Sequence, residues 1–262
     1  MSSARRQSDS DARLPPVPPT LFISDLHLSR DRPMLVDAFH ALMRGPVRDA
    51  RALYVLGDLF DVWLGDDQLR DPLAAGVAGA LAESARAGVR VYLQRGNRDF
   101  LLGERFARAA GATLLPDAVV HPLHGTPTLL MHGDQLCTDD VKYQRYRAWW
   151  EDAAHRRRFL ALPYFARRGI GALLRGASRR ANTGKTESIM DVSAHAVAAA
   201  LREHGVTRLI HGHTHRPAKH DVFVDNLARE RFVLADWYDS ASYLRVEDKG
   251  VEARAFNGEP AR

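Results

Sequence analysis

The sequence predicts a layered α/β fold with a helical insertion, and three observations carry that expectation. From Thr20 to Leu130, short apolar runs rich in β-branched residues alternate with longer helix-forming stretches. The same alternation resumes from Ser188 onwards, whereas residues 138–186 abandon it for arginines mixed with aromatic and aliphatic side chains. Strands alternating with helices imply a buried sheet covered by helical layers.

The elements follow in order. "TLFIS" reads as a strand, Pro33 to Met43 as a helix, "ALYVL" as a strand, Pro72 to Ala87 as an alanine-rich helix and "VRVYLQ" as a strand. A helix through "LLGERFARAA" comes next, then strands at "ATLL", near "AVVH" and at "PTLLMH". After the insertion, a helix over Ser188 to Glu203 precedes strands at "TRLIHG", "RFVLADW", "SYLRVE" and "VEARAF". Residues 1–19 are polar and then proline-rich without apolar periodicity, which predicts a disordered lead-in. The core is thus expected over 20–137 and 187–262, with 138–186 as a helical cap.

Composition narrows the classes of function. A chain of 262 residues with 45% hydrophobic content buries one large core. Its single cysteine, Cys137, excludes an intrachain disulfide framework, and no apolar run is long enough to cross a bilayer. A cytoplasmic setting is the simplest expectation. The net charge of +5 predicts an anionic partner: nucleic acid, a membrane surface or a phosphorylated substrate.

Five short motifs stand at or just after expected strand ends: "SDLH" with Asp25 and His27, "GDLFD" with Asp58, "GNRD" with Asn97, "MHGD" with His132, and "GHTH" with His213 and His215. Ligands of open α/β sheets bind outside the carboxyl ends of strands, so these residues are expected to converge there. In an extended segment, side chains at i and i+2 share a side, which would let Asp25 and His27 grip one cation, and let His213 and His215 face neighbouring ones. A pool of carboxylates, imidazoles and one amide without a thiolate suits Mn²⁺ or a similar divalent ion.

The series D-x-H, GD, GN, H, GH-x-H, found in this order over residues 20–245, resembles the calcineurin-like metallophosphoesterases. The resemblance implies a four-layer αββα sandwich carrying two metal ions at its edge. One ion would be held by Asp25, His27, Asp58 and His215, the other by Asp58, Asn97, His132 and His213, so that Asp58 bridges both. "FISDLHLS", "YVLGDLFDVW", "GNRD", "MHGDQLCTDD" and "SRRANTGKT" resemble, more narrowly, a branch of that family that acts in lipid A biosynthesis. That branch splits the pyrophosphate of a UDP-linked diacylated glucosamine into UMP and the acylated sugar 1-phosphate. Its substrate contacts fall on Asn97, Arg98, Asp140, Ser178, Asn182, Lys185 and His213.

The resemblance also implies a mechanism in which two metal ions activate water for in-line attack on the alpha phosphorus, without a protein general base. Many relatives carry histidine where Arg98 stands, as an acid for an alkoxide leaving group. A phosphate monoester has a second pKa of only about 6 and departs without that proton. Arginine instead grips phosphate oxygens through its planar fork.

The remaining residues have quieter readings. His211 is expected to be a packed or hydrogen-bonded strand residue, Asp61, Asp99 and Asp134 to cap turns or orient ligands, and Cys137 to fill space. In the insertion, Tyr143, Tyr146 and Trp150 would by spacing alone pack a helix onto its own domain, and the arginines would form a solvated face. The family resemblance favours an apolar groove for two acyl chains instead. Arg156, Arg157, Arg158, Arg167, Arg168, Arg175, Arg179 and Arg180 would then attract the anionic cytoplasmic face of the inner membrane. A metallophosphoesterase acting on a soluble nucleotide is the alternative enzyme reading. Nucleic-acid binding by the basic cap is a third reading, though no RNA-binding signature is present.

Overall fold

The computed structural model of the chain describes residues 17–182, 191–238 and 240–256, with the backbone alone over 174–182. In chain order its first half contains β1 (Thr20–Ile23), α1 (Pro33–Arg44), β2 (Ala52–Leu56), α2 (Pro72–Arg86), β3 (Arg90–Gln94), α3 (Glu104–Ala109) and β4 (Ala112–Leu114). A hairpin of β5 (Ala118–Leu123) and β6 (Thr126–Met131) leads to three inserted helices, α4 (Val141–Glu151), α5 (Ala153–Leu160) and α6 (Tyr164–Asn182). The chain then returns through α7 (Ala194–Glu203), β7 (Arg208–His211), β8 (Ala218–Val224), β9 (Leu227–Val233), β10 (Ala241–Glu247) and β11 (Gly250–Phe256).

Two mixed sheets result, one ordered β11-β10-β1-β2-β3-β4 and the other β5-β6-β7-β9-β8. Strands β1 to β4 run parallel, as do β6, β7 and β9. Period-2 alternation divides each strand between two cores. In β2, Leu53 and Val55 pack with Phe39, Leu42, Val77, Leu81 and Phe106 of the first three helices. Its Ala52, Tyr54 and Leu56 face the other way, towards Leu130 and Ile210 of the second sheet. Leu129, Met131 and Leu209 in turn meet Val197 and Leu201 of α7. The order is helices, sheet, sheet, helix, which is the four-layer sandwich.

Three expected elements are adjusted. The helix through "LLGERFARAA" begins only at Glu104, because the Asp66 carboxylate caps it from outside, accepting from the backbone N–H groups of Gly103, Arg105 and Phe106 at 3.0, 2.9 and 3.1 Å. The helix expected from Ser188 starts at Ala194, after Ser193, and positions 188–190 lie outside the described residues. The "RFVLADW" strand ends at Val233, and its pairing partner β8 is an addition. Four of the seven residues of β8 are exposed polar or alanine positions at a sheet edge, so apolar content did not mark it. The lead-in expected over 1–19 lies outside the described residues up to position 16.

Candidate metal centre

Strands β1, β2, β3, β6 and β7 all release their chain at one edge of the two sheets, and the loops there are held by backbone bonds beyond the ladders. Asp25 and His27 donate their N–H groups to Gly57 and Asp58 carbonyls at 3.2 and 3.0 Å, and Gly212 donates to His132 at 2.8 Å. The neighbouring glycines are needed for close approach. A Cβ on Gly96 would fall onto the Asp58 carboxylate and N–H, and one on Gly212 onto Ser24 Oγ and the Asp25 carboxylate.

The i, i+2 spacing works through a different backbone from the extended one expected. Asp25, His27, Asp58, His213 and His215 are all left-handed, with φ between 47° and 69°. Among the described residues the other non-glycine positions of this kind are His124, Asp225 and Asn226, in the two tight turns between β5 and β6 and between β8 and β9. Such a residue costs about 1–3 kcal/mol and persists only where its surroundings enforce it, as at functional sites. Five side chains are thereby turned inward together.

The side chains meet in two overlapping groups. Ligand atoms of Asp25, His27 and His215 lie within 4.8 Å of one another, as do those of Asp25, Asp58 and His132. His215 Nε2 stands 3.4 Å from Asp25 Oδ1, and His27 Nδ1 and His132 Nε2 each stand 3.8 Å from a different Asp58 oxygen. Asn97 Oδ1 lies 3.0 Å from His132 Nε2 and 2.9 Å from His213 Nδ1. All seven residues of the expected ligand set are therefore brought together, with Asp25 within reach of both groups beside Asp58.

The chemistry of these atoms fits divalent cations. Asp25 Oδ1 and both ring nitrogens of His27 are buried without a hydrogen-bond partner. His132 Nδ1 is committed to the Leu56 carbonyl at 2.8 Å, which leaves Nε2 with a lone pair aimed at an amide oxygen. Lone pairs converging in this way are reconciled by a proton or a cation between them. Burial holds His27 and His213 down at about 4, so both are neutral donors. His132 is raised to about 9: burial opposes its charge, but Asp58 and Asp25 overcome burial. His215 reaches about 10 for a similar reason, against Asp236 and Asp25. Burial pushes Asp58 up to about 8, whereas Asp25 stays below the usual carboxylate range despite burial because of His215, His132 and Ser24.

Supporting groups lie just outside. Asp99 accepts from the N–H groups of Asp58, Leu59 and Gly96 at 3.2, 2.8 and 2.7 Å, tying the second and third motifs together. Asp236 is a residue the sequence reading missed; its Oδ2 is 3.2 Å from His215 Nδ1. An acidic residue ending the apolar run "RFVLADW" at the same sheet edge was the available signal. His211 is buried at the end of β7, and Cys137 is buried with its thiol pushed up to about 12 by burial, so it stands as a protonated thiol and not as a nucleophile at neutral pH.

The proposed substrate contacts divide. The backbone N–H of Arg98 donates to Asp58 Oδ1 at 2.7 Å, which fixes this residue beside the paired carboxylates. Asp140 is buried and caps α4 by accepting from Tyr143 N–H at 3.1 Å. Ser178 and Asn182 fall on α6, where side chains are not described, and Lys185 lies outside the described residues.

The insertion is docked through α4. Arg147 is buried and bonded to Asp134 at 2.9 Å, Asp117 at 3.0 Å, Gln135 at 3.2 Å and Glu151. Tyr143 donates to Asp134 and stacks on His213 with centroids 6.1 Å apart. Trp150 and Phe159 join the first core. Arg167 departs from the basic surface expected of it: it is 3% exposed, bonded to Asp67 and to the Leu64 and Leu162 carbonyls. Arg157, Arg158 and Arg168 are exposed, as are Phe165 at 77% and Leu173 at 76%. Among the described residues no helix is long and apolar enough to cross a membrane.

This edge of paired carboxylates and imidazoles is a candidate metal centre of the phosphoesterase type, and the comparisons give the family. The calcineurin-like phosphoesterase family profile matches residues 18–217, and the chain belongs to that family. A UDP-2,3-diacylglucosamine hydrolase of Aromatoleum aromaticum is 50% identical over 230 residues, 88% of this chain and 94% of the relative. Proteins of the same name from Escherichia fergusonii and Salmonella agona are each 46% identical over 237 residues, 90% of this chain and 98% of theirs.

Proposed function

We propose that the chain hydrolyses the pyrophosphate of UDP-2,3-diacylglucosamine, releasing UMP and 2,3-diacylglucosamine 1-phosphate in lipid A biosynthesis. The observation that carries this reading is the nearly full-length likeness to relatives named for that substrate. Two divalent ions, for which we choose Mn²⁺, would supply Lewis-acid polarisation of phosphoryl oxygens and of an attacking water. Asp25, His27, Asp58 and His215 would hold one, and Asp58, Asn97, His132 and His213 the other.

Arg98 supports a substrate whose leaving group is itself a phosphate. Its permanent charge and planar fork suit bidentate contact with phosphoryl oxygens, and it cannot serve as a proton donor. We assign Asp140, Ser178, Asn182 and Lys185 to the remaining substrate contacts. Exposed Phe165 and Leu173, together with exposed Arg157, Arg158 and Arg168 of the same insertion, support peripheral docking of the cap on the anionic cytoplasmic face of the inner membrane. Two measurements test this reading. Turnover of the diacylated UDP sugar should exceed that of its deacylated analogue, and the protein should float with anionic liposomes at low salt. Equal turnover of the two sugars would point to a soluble nucleotide substrate, and failure to float would remove the membrane assignment.

A further inference from the structure

We propose that Arg32 and Tyr238 form a second phosphoryl-holding subsite on the rim of the metal centre, taking the phosphoryl group that Arg98 does not hold. The inference rests on the pyrophosphate reading above. Arg32 lies between β1 and α1, and its guanidinium carbon sits 4.2 Å from the centroid of the Tyr238 ring. That ring in turn lies 5.9 Å from His27 and 5.8 Å from His215, centroid to centroid, and is half exposed. The pair therefore flanks the metal-ligand imidazoles from outside.

Arg32 has the profile of a cation awaiting an anion. It is half-buried, its Nη1 is buried without an acceptor, and among the described residues no carboxylate pairs with it. Its neighbour Arg30 is by contrast paired with Asp71 at 2.8 Å. A desolvated guanidinium without a counterion is costly, and stacking on an aromatic face recovers part of that while fixing the plane of the fork. Both partners are held in place locally. Pro33 follows Arg32 at the first position of α1, and Trp237, next to Tyr238, donates its N–H to the Asp25 carbonyl at 3.2 Å. Arg98 likewise has no ion-pair partner among the described residues. A pyrophosphate diester carries one negative charge on each phosphoryl group, so two unpartnered guanidiniums beside one metal centre match it.

The test uses methylenebisphosphonate, a non-hydrolysable pyrophosphate analogue, and inorganic phosphate, with calorimetry on the Mn²⁺-loaded full chain. Arg32→Ala should weaken bisphosphonate binding about ten-fold, the scale of a charge-assisted contact, while changing phosphate binding by less than about three-fold. Arg32→Lys should fall between, since it keeps the charge but loses the fork. Should Arg32→Ala fail to keep the wild-type melting temperature, Tyr238→Ala gives the same contrast by removing the stacking face. Equal bisphosphonate binding by wild type and variant, or equal weakening of both ligands, would overturn the subsite. If the wild type binds bisphosphonate through Arg32 yet does not cleave the UDP sugar, the subsite stands and the substrate reading falls.

Discussion

Asp236 Oδ2 lies 3.2 Å from His215 Nδ1, while the opposite nitrogen of the same ring faces Asp25 Oδ1 at 3.4 Å. The carboxylate thus fixes which imidazole nitrogen carries the proton and directs the other nitrogen's lone pair into the metal centre. Partners of this kind are worth about 10–100-fold in metal affinity. Asp236→Ala should lower Mn²⁺ affinity by that factor, while the metal-free protein stays folded with a melting temperature lowered modestly by loss of the His215 contact. Unchanged affinity in a metal titration would show that His215 is oriented by other means.

Protons compete with metal at this site. In the metal-free protein His132 at about 9 and His215 at about 10 both exceed the ordinary 6.5, since neighbouring carboxylates outweigh burial. Their contacts therefore stabilise the metal-free fold fully below about 6.5 and lose that contribution as pH rises through about 9 to 10. Binding a cation must expel these protons, so Mn²⁺ affinity should climb from pH 6.5 to about 9. Calorimetry in buffers of different ionisation enthalpy should record proton release at pH 7.5. Binding without proton release would contradict the assignment.

The cap is fastened to the metal centre through Arg147. Arg147→Met removes the guanidinium from a buried Asp134 carboxylate, and breaking such a pair costs about 3–5 kcal/mol. The lower end applies, because Asp117 and Glu151 retain solvent. A free energy of unfolding lowered by about 3 kcal/mol in urea titration is expected. Because Asp134 also holds Tyr143 against His213, KM for the lipid substrate should rise as well.

Arg98→Lys keeps a positive charge but loses the planar fork. Activity should drop roughly 10²-fold in kcat/KM while metal content stays at the wild-type level. Metal analysis beside steady-state kinetics separates the two, and a fully active variant would remove Arg98 from phosphate recognition.

Much of this was legible in the sequence because the proposed ligands follow strand ends, where apolar runs stop and glycines begin. Asp25, Asp58, Asn97, His132 and His213 each sit one to three residues beyond a readable strand. The left-handed backbone at five of the seven proposed ligands was not legible, since it is enforced by long-range bonds such as His27 N–H to the Asp58 carbonyl. Periodicity also cannot tell a solvated arginine from a buried one. Arg167 and Arg147 stand in the same basic stretch as Arg157, yet carboxylates and carbonyls from Asp67, Leu64 and Asp134 draw them inward. Asp66 shortens α3 from 37 residues upstream of Gly103, beyond the reach of any local pattern.

A metal centre that cleaves a lipid-linked UDP sugar must release UMP from it only while its ions are bound. UMP release from UDP-2,3-diacylglucosamine measures this most directly, with the protein as purified, after chelation, and after Mn²⁺ is added back. UMP formation that disappears on chelation and returns with Mn²⁺ is the expected result. No UMP under any of the three conditions, or UMP formation indifferent to chelation, would contradict it.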